Sequence, residues 1–196
     1  MQLNNKWFLT YKLFNSAFTG LSVGILFTIY NPLDPEIYSL GGIILASAML
    51  ILAKFYEKLL NIKSFYFISI LVEACMLITV LVFLILKYSI VSALTIYILY
   101  QFTFIFGGYL VRAETLVAQN KELLAKIDVN KQIGYLLGLA FSFLIYKVLE
   151  NSFNISETKD QIIILHYILL TLQFSILAFL LLSFLNQTFH VTPLQS

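Results

Sequence analysis

Long apolar runs separated by short polar breaks dominate the chain. The runs show no alternation of period two. Each holds about 18 residues or more, enough to cross a ~30 Å hydrocarbon core as a helix. Six spans are predicted, at about residues 7–30, 37–54, 64–87, 90–112, 132–149 and 161–185. The first break is a turn, Asn31-Pro32-Leu33-Asp34-Pro35-Glu36, and the second is the polar stretch 55–63. Residues 113–131 form the most polar stretch and are predicted to carry a surface helix of their own. Residues 150–160 form a polar loop, and a short tail runs to Ser196. A membrane β-barrel would need alternating segments of roughly ten residues; these runs are continuous and about twice as long. The fold class expected is all-α: a single polytopic membrane domain.

Composition agrees. Of 196 residues, 60% are hydrophobic and 11% charged, whereas an ordinary soluble domain is roughly 25% charged. Mean hydropathy is +0.91. Too few polar side chains exist to coat a water-facing domain, so the lipid bilayer is the first partner implied. The first run is too long for the apolar core of a cleaved leader and is expected to be a span. A net charge of +2, with no basic stripe, gives no support for nucleic acid. The one cysteine, Cys75, lies inside an apolar run and reads as a small buried hydrophobe. No metal-ligand spacing, cofactor loop, nucleophile elbow or zinc-protease motif occurs, so no metal, cofactor or enzyme activity is expected. Bases sort by side. Lys6, Lys12, Lys54, Lys58, Lys63, Arg112, Lys121, Lys126 and Lys131 fall on the side where the chain starts; Lys87, Lys147 and Lys159 fall opposite, where the first turn carries Asp34 and Glu36. Basic loops stay in the cytoplasm, so both termini are expected there, in a bacterial inner (plasma) membrane.

A charge at the bilayer centre costs ~2.5–3.5 kcal/mol on insertion scales and needs a reason. Glu73 falls near the middle of the third span. Two readings stand: a carrier of a coupling proton or cation, or a carboxyl bonded to a neighbouring hydroxyl or amide. The first span carries Lys12, Asn15, Ser16, Thr19, Gly20, Val23 and Gly24 on one face at helical spacing. Lys12, Asn15 and Thr19 are candidates for lining a substrate path, and the Gly20/Gly24 pair suits close helix packing. In the fourth span, Tyr97, Gln101, Gly108 and Arg112 share a face. Gln101 would line the path. Arg112 would act as a structural clamp or capture an anion. Gly134 and Gly138 form a second small-residue pair, and His166 and Gln173 are lesser candidates in the last span.

The stretch after the second span, Ala53 to Lys63, resembles the loop motif of the major facilitator superfamily. Glu57 stands for its aspartate, Lys58 for the following base and Lys63 for the basic tail, while Ala53 and Leu60 replace its two glycines. With six spans and both ends inside, the chain resembles the N-terminal half of such a transporter. Those proteins are built from two six-span halves. The resemblance therefore implies a half-size transporter that pairs with itself or with a second half-size chain, moving a small polar or anionic solute. It also implies that the first and fourth spans line the path, that the third is peripheral, and that Glu57 and Lys58 form a clamp with Arg112. After Gly138 the chain reads Leu139-Ala140-Phe141-Ser142, without the glycine-proline of the family's antiporter signature. The competing expectation is a non-transporting membrane subunit or assembly factor. A water-accessible central cavity lined by the polar stripes of the first and fourth spans would favour transport; a fully packed core would favour the subunit, whose partner would dock on a lipid-facing groove or on residues 113–131.

Overall fold

Helix ends follow the local chemistry of the polar breaks. A computed structural model describes residues 3–185; His190 and the rest of the tail lie outside them. Among the described residues all regular structure is helical: α1 (Asn5–Tyr30), α2 (Pro35–Lys54), α3 (Tyr56–Leu59), α4 (Ile62–Leu86), α5 (Ile90–Ala118), α6 (Lys121–Phe153) and α7 (Thr158–Phe184). Asn4, Asn61, Ser89 and Asn120 each accept a backbone N–H with the side chain at a helix start, satisfying donors the helix itself leaves unpaired. Proline opens α2, where its missing N–H costs nothing. Six of the helices, all but α3, are long and apolar enough to cross a bilayer, which marks an integral membrane protein.

The stretch 113–131 departs from expectation. No separate surface helix forms there. Instead α5 runs on to Ala118 and α6 begins at Lys121. The corner between them is only Gln119, in the left-handed region at φ 59°, and the capping Asn120. At ~1.5 Å per residue the 33 residues of α6 reach about 50 Å, well beyond the hydrocarbon core. The polar residues are therefore carried on helix extensions. Glu114, on the α5 extension, is paired within the bundle by Lys12 and Lys131.

Packing follows a simple scheme. α1 lies along α6 and α7, α5 lies along α4 and α2, α4 packs on α7, and α1 touches α5. Exchanging the first three spans for the last three maps the main contacts onto one another, but the α5–α6 and α6–α7 contacts have no counterpart of similar extent. Three is an odd number, so where every span crosses the bilayer the two triplets enter it from opposite sides. The α1–α6 contact is built on backbone proximity. A side chain at Gly20 would strike the backbone of Tyr135 and Leu139, and side chains at Gly134 and Gly138 would strike that of Leu13 and Ala17. Gly24 meets nothing, so the first-span pair expected at this contact supplies only one of its glycines. Cys75 is buried, its thiol 3.5 Å from the Leu99 carbonyl. α2 buries no residue fully, and Leu40, Ile43, Ile44, Leu50 and Ile51 face outward.

Candidate functional site

Three helices converge on Glu73, at the midpoint of α4. Its side chain is 1% exposed. Oε1 accepts from the Tyr11 hydroxyl at 2.7 Å and from Asn15 Nδ2 at 2.8 Å, both on α1. Oε2 accepts from Gln173 Nε2 of α7 at 2.9 Å, and the same amide bonds the Glu73 carbonyl at 2.9 Å. Among the described residues no cation lies within ion-pair distance of this carboxylate. The hydroxyl and amide partners that a structural role requires are thus in place. Gln173, a lesser candidate by sequence, supplies two of the four bonds.

Glu73 and Gln173 also form the floor of a groove of about 360 Å³ between α1 and α5. Asn15, Thr19 and Ser22 line it from α1, and Tyr100, Thr103, Phe104 and Gly107 from α5. Most of the remaining wall is apolar. The third span therefore reaches the groove instead of lying at the periphery. A larger crevice of about 500 Å³ lies between α1, α6 and α7. It has no ionisable side chain, and its hydroxyls, Thr171 and Ser175, are spent on carbonyls of their own helix.

The fourth-span face is corrected by one step around the helix. Tyr97, Gly108 and Arg112 look toward α2 and α3. The Tyr97 ring fills the space beside Gly41, Gly108 lies near Met49, and the Arg112 guanidinium sits 5.7 Å from the Tyr56 ring centre. Gln101 is half-buried and does not line the groove; its Oε1 is enclosed without a hydrogen-bond partner. The face that does line it steps through Tyr100, Thr103, Gly107 and Leu110. The clamp drawn from the loop resemblance does not form. Glu57, Lys58 and Arg112 are all exposed, and no ion pair joins Glu57 to Arg112. The connection is tied instead by Arg112 over Tyr56 and by the Tyr109 hydroxyl donating to the Leu59 carbonyl at 2.8 Å.

Lys12 is also placed differently. It turns away from the groove into a buried cluster, where it and Lys131 of α6 both pair with Glu114 of α5. The Lys12 ammonium lies 5.1 Å from the Tyr11 ring centre and 5.2 Å from that of Phe8. This ionic clasp joins α1, α5 and α6 at the end of the bundle where the chain starts. The opposite end carries an aromatic clasp of Tyr30, Tyr38 and Tyr97, with ring centres 5.4–6.4 Å apart, joining α1, α2 and α5. The two chemically different clasps thus share α1 and α5 and lie toward opposite ends of those helices. Sequence reading missed Tyr11, Glu114, Lys131 and the Tyr100/Thr103/Gly107 face. The spacing of that face, in steps of three and four with two hydroxyl-bearing residues and one glycine, was the available signal.

His166 is buried and stacks on Phe83 with ring centres 3.7 Å apart, its Nδ1 2.8 Å from the Ile162 carbonyl. It serves packing beside a small cavity that adjoins the groove at Phe18, Ser22, Leu26 and Tyr100. In the loop between α4 and α5, burial, followed by the nearby Tyr146 and Asp160, holds the Tyr88 phenol above its ordinary range. Tyr88 therefore remains a neutral donor to the Lys159 carbonyl, at 3.3 Å. No group of three or more His, Cys, Asp or Glu is arranged to hold a metal among the described residues. No family model, curated protein or solved structure matches this chain.

Proposed function

We propose that this six-span unit is one side of a membrane carrier. It pairs with a second six-span unit, in the simplest case a second copy, and a small solute crosses between them. The observation that carries this reading is the groove between α1 and α5, floored by a buried carboxylate at mid-membrane depth. Apolar walls with a few convergent polar groups are typical of small-molecule sites. The correspondence of the main contacts between the two triplets adds support, since substrate sites of inverted-repeat proteins lie at repeat interfaces near the midplane.

The sorting of bases supports cytoplasmic termini and a bacterial inner membrane. In that orientation the ionic clasp is the inner closure and the tyrosine clasp the outer one, with Glu73 holding a coupling proton between them. An anionic solute has lost its support, because Lys12 and Arg112 do not line the groove. A non-transporting subunit would use such a groove as its partner's docking face; the buried carboxylate at the floor favours a solute instead.

The test is crosslinking between copies in native membranes. In a Cys75→Ser background, single cysteines replace Thr19 or Phe104, both exposed at the groove. A species of twice the monomer mass is expected at one or both positions. A strict monomer at both, with a short and a long crosslinker, overturns the pairing of copies.

A further inference from the structure

The lining of the groove also bears on what it holds. Among its lining residues Glu73 is the only acid and there is no base; Phe18, Tyr100 and Phe104 supply aromatic surface. A carboxylate offers about four lone-pair sites. Three are used by the hydroxyl and amide donors on Glu73, and Oε2 carries only one of those bonds. The nearest fixed cation, Lys12, is bound to Glu114, which also pairs with Lys131. The positive charge that would otherwise neutralise Glu73 is thus held in the neighbouring cluster. An anion would meet a carboxylate at the floor, and a strongly hydrophilic solute would meet a largely apolar wall. A monovalent cation with an apolar or aromatic body satisfies both surfaces: its charge faces the carboxylate and aromatic rings, and its body displaces water from the walls.

We propose that the groove between α1 and α5 binds a lipophilic organic monocation, with Glu73 as its counter-ion and Phe104 and Tyr100 as aromatic contacts. This rests on the reading of the groove as the solute path and names the class of solute. Binding of benzyltrimethylammonium, of its uncharged carbon isostere neopentylbenzene and of benzoate is measured by equilibrium dialysis against the full chain in nanodiscs, with empty nanodiscs subtracted. The cation is expected to bind saturably and the isostere and anion at least about tenfold more weakly, as loss of a charge-assisted contact dictates. Glu73→Gln, with helix content checked by circular dichroism, is expected to weaken the cation by a similar factor. Phe104→Leu alters a half-exposed groove residue, and is expected to weaken the cation severalfold even if Glu73→Gln does not fold. Equal binding of cation and isostere, or a cation affinity unchanged in a folded Glu73→Gln chain or in Phe104→Leu, overturns the proposal. Crosslinking reports separately. Cation binding without pairing removes the carrier and keeps the site; pairing without cation binding keeps the carrier and removes this ligand.

Discussion

Glu73 and Glu114 are both buried carboxylates, yet their surroundings differ in kind. Glu73 is held by neutral donors, whereas Glu114 is held by two ammonium groups. Removing each should therefore hurt differently. Glu73→Leu strands the Tyr11 hydroxyl and the Asn15 amide without an acceptor, at ~1–3 kcal/mol for each buried donor left unpaired, while Gln173 keeps its bond to the backbone carbonyl at 73. Glu73→Gln keeps a carbonyl for Tyr11 and Asn15, and the Gln173 amide can turn over to meet the new one. Thermal unfolding in detergent should place Glu73→Gln between wild type and Glu73→Leu. Equal losses would mean the bonds to Tyr11, Asn15 and Gln173 contribute nothing. Glu114→Gln leaves Lys12 charged and buried, and breaking such a pair costs about 3–5 kcal/mol. Lys12→Met in the same chain removes the stranded charge, so the double variant should melt above Glu114→Gln alone. If it melts lower, Lys12 is not held by Glu114.

Among the helices, α1 and α6 meet through backbone, and glycine decides how close they come. Gly20→Ala, Gly134→Ala and Gly138→Ala each push a methyl group into the facing main chain. They should lower the melting temperature and raise the protease sensitivity of the α5–α6 corner. Gly24→Ala and Gly42→Ala enter open space and gain up to about 1 kcal/mol of helix propensity. The contrast within one residue type separates packing from propensity: a loss at Gly24 equal to that at Gly138 would dismiss the contact. The glycine pairs were visible in the sequence, but their partners were not. Gly24 continues the four-residue spacing, yet the chain beyond Gly20 diverges from α6, and only the crossing of two helices determines where backbones touch.

Taken whole, the molecule is two triplets of spans in opposite directions, with one open groove between their leading helices. This predicts a labelling pattern. In a Cys75→Ser background, a cysteine at Gln119 should react with a membrane-impermeant maleimide only after the cytoplasmic side is opened, and one at Glu157 should react in intact cells. The reverse pattern would invert the orientation and place the ionic clasp outside.

Span number, helix type and most helix ends were legible in the amino-acid order, because hydropathy and capping act over a few neighbouring residues. The depth of Glu73 was legible for the same reason. The division of 113–131 between α5 and α6 was not, and the pairing of Glu114 on that stretch joins it to Lys12, from a distant part of the chain. Nor was the face of α5 that borders the groove. Two helical stripes one residue apart look equally plausible along a line, and rotation about the helix axis is settled only when Tyr97 seats against Gly41 and Thr103 is left facing α1. The linear code fixes which groups must be hidden from lipid; the tertiary packing decides which of them meet one another and which are left for a ligand.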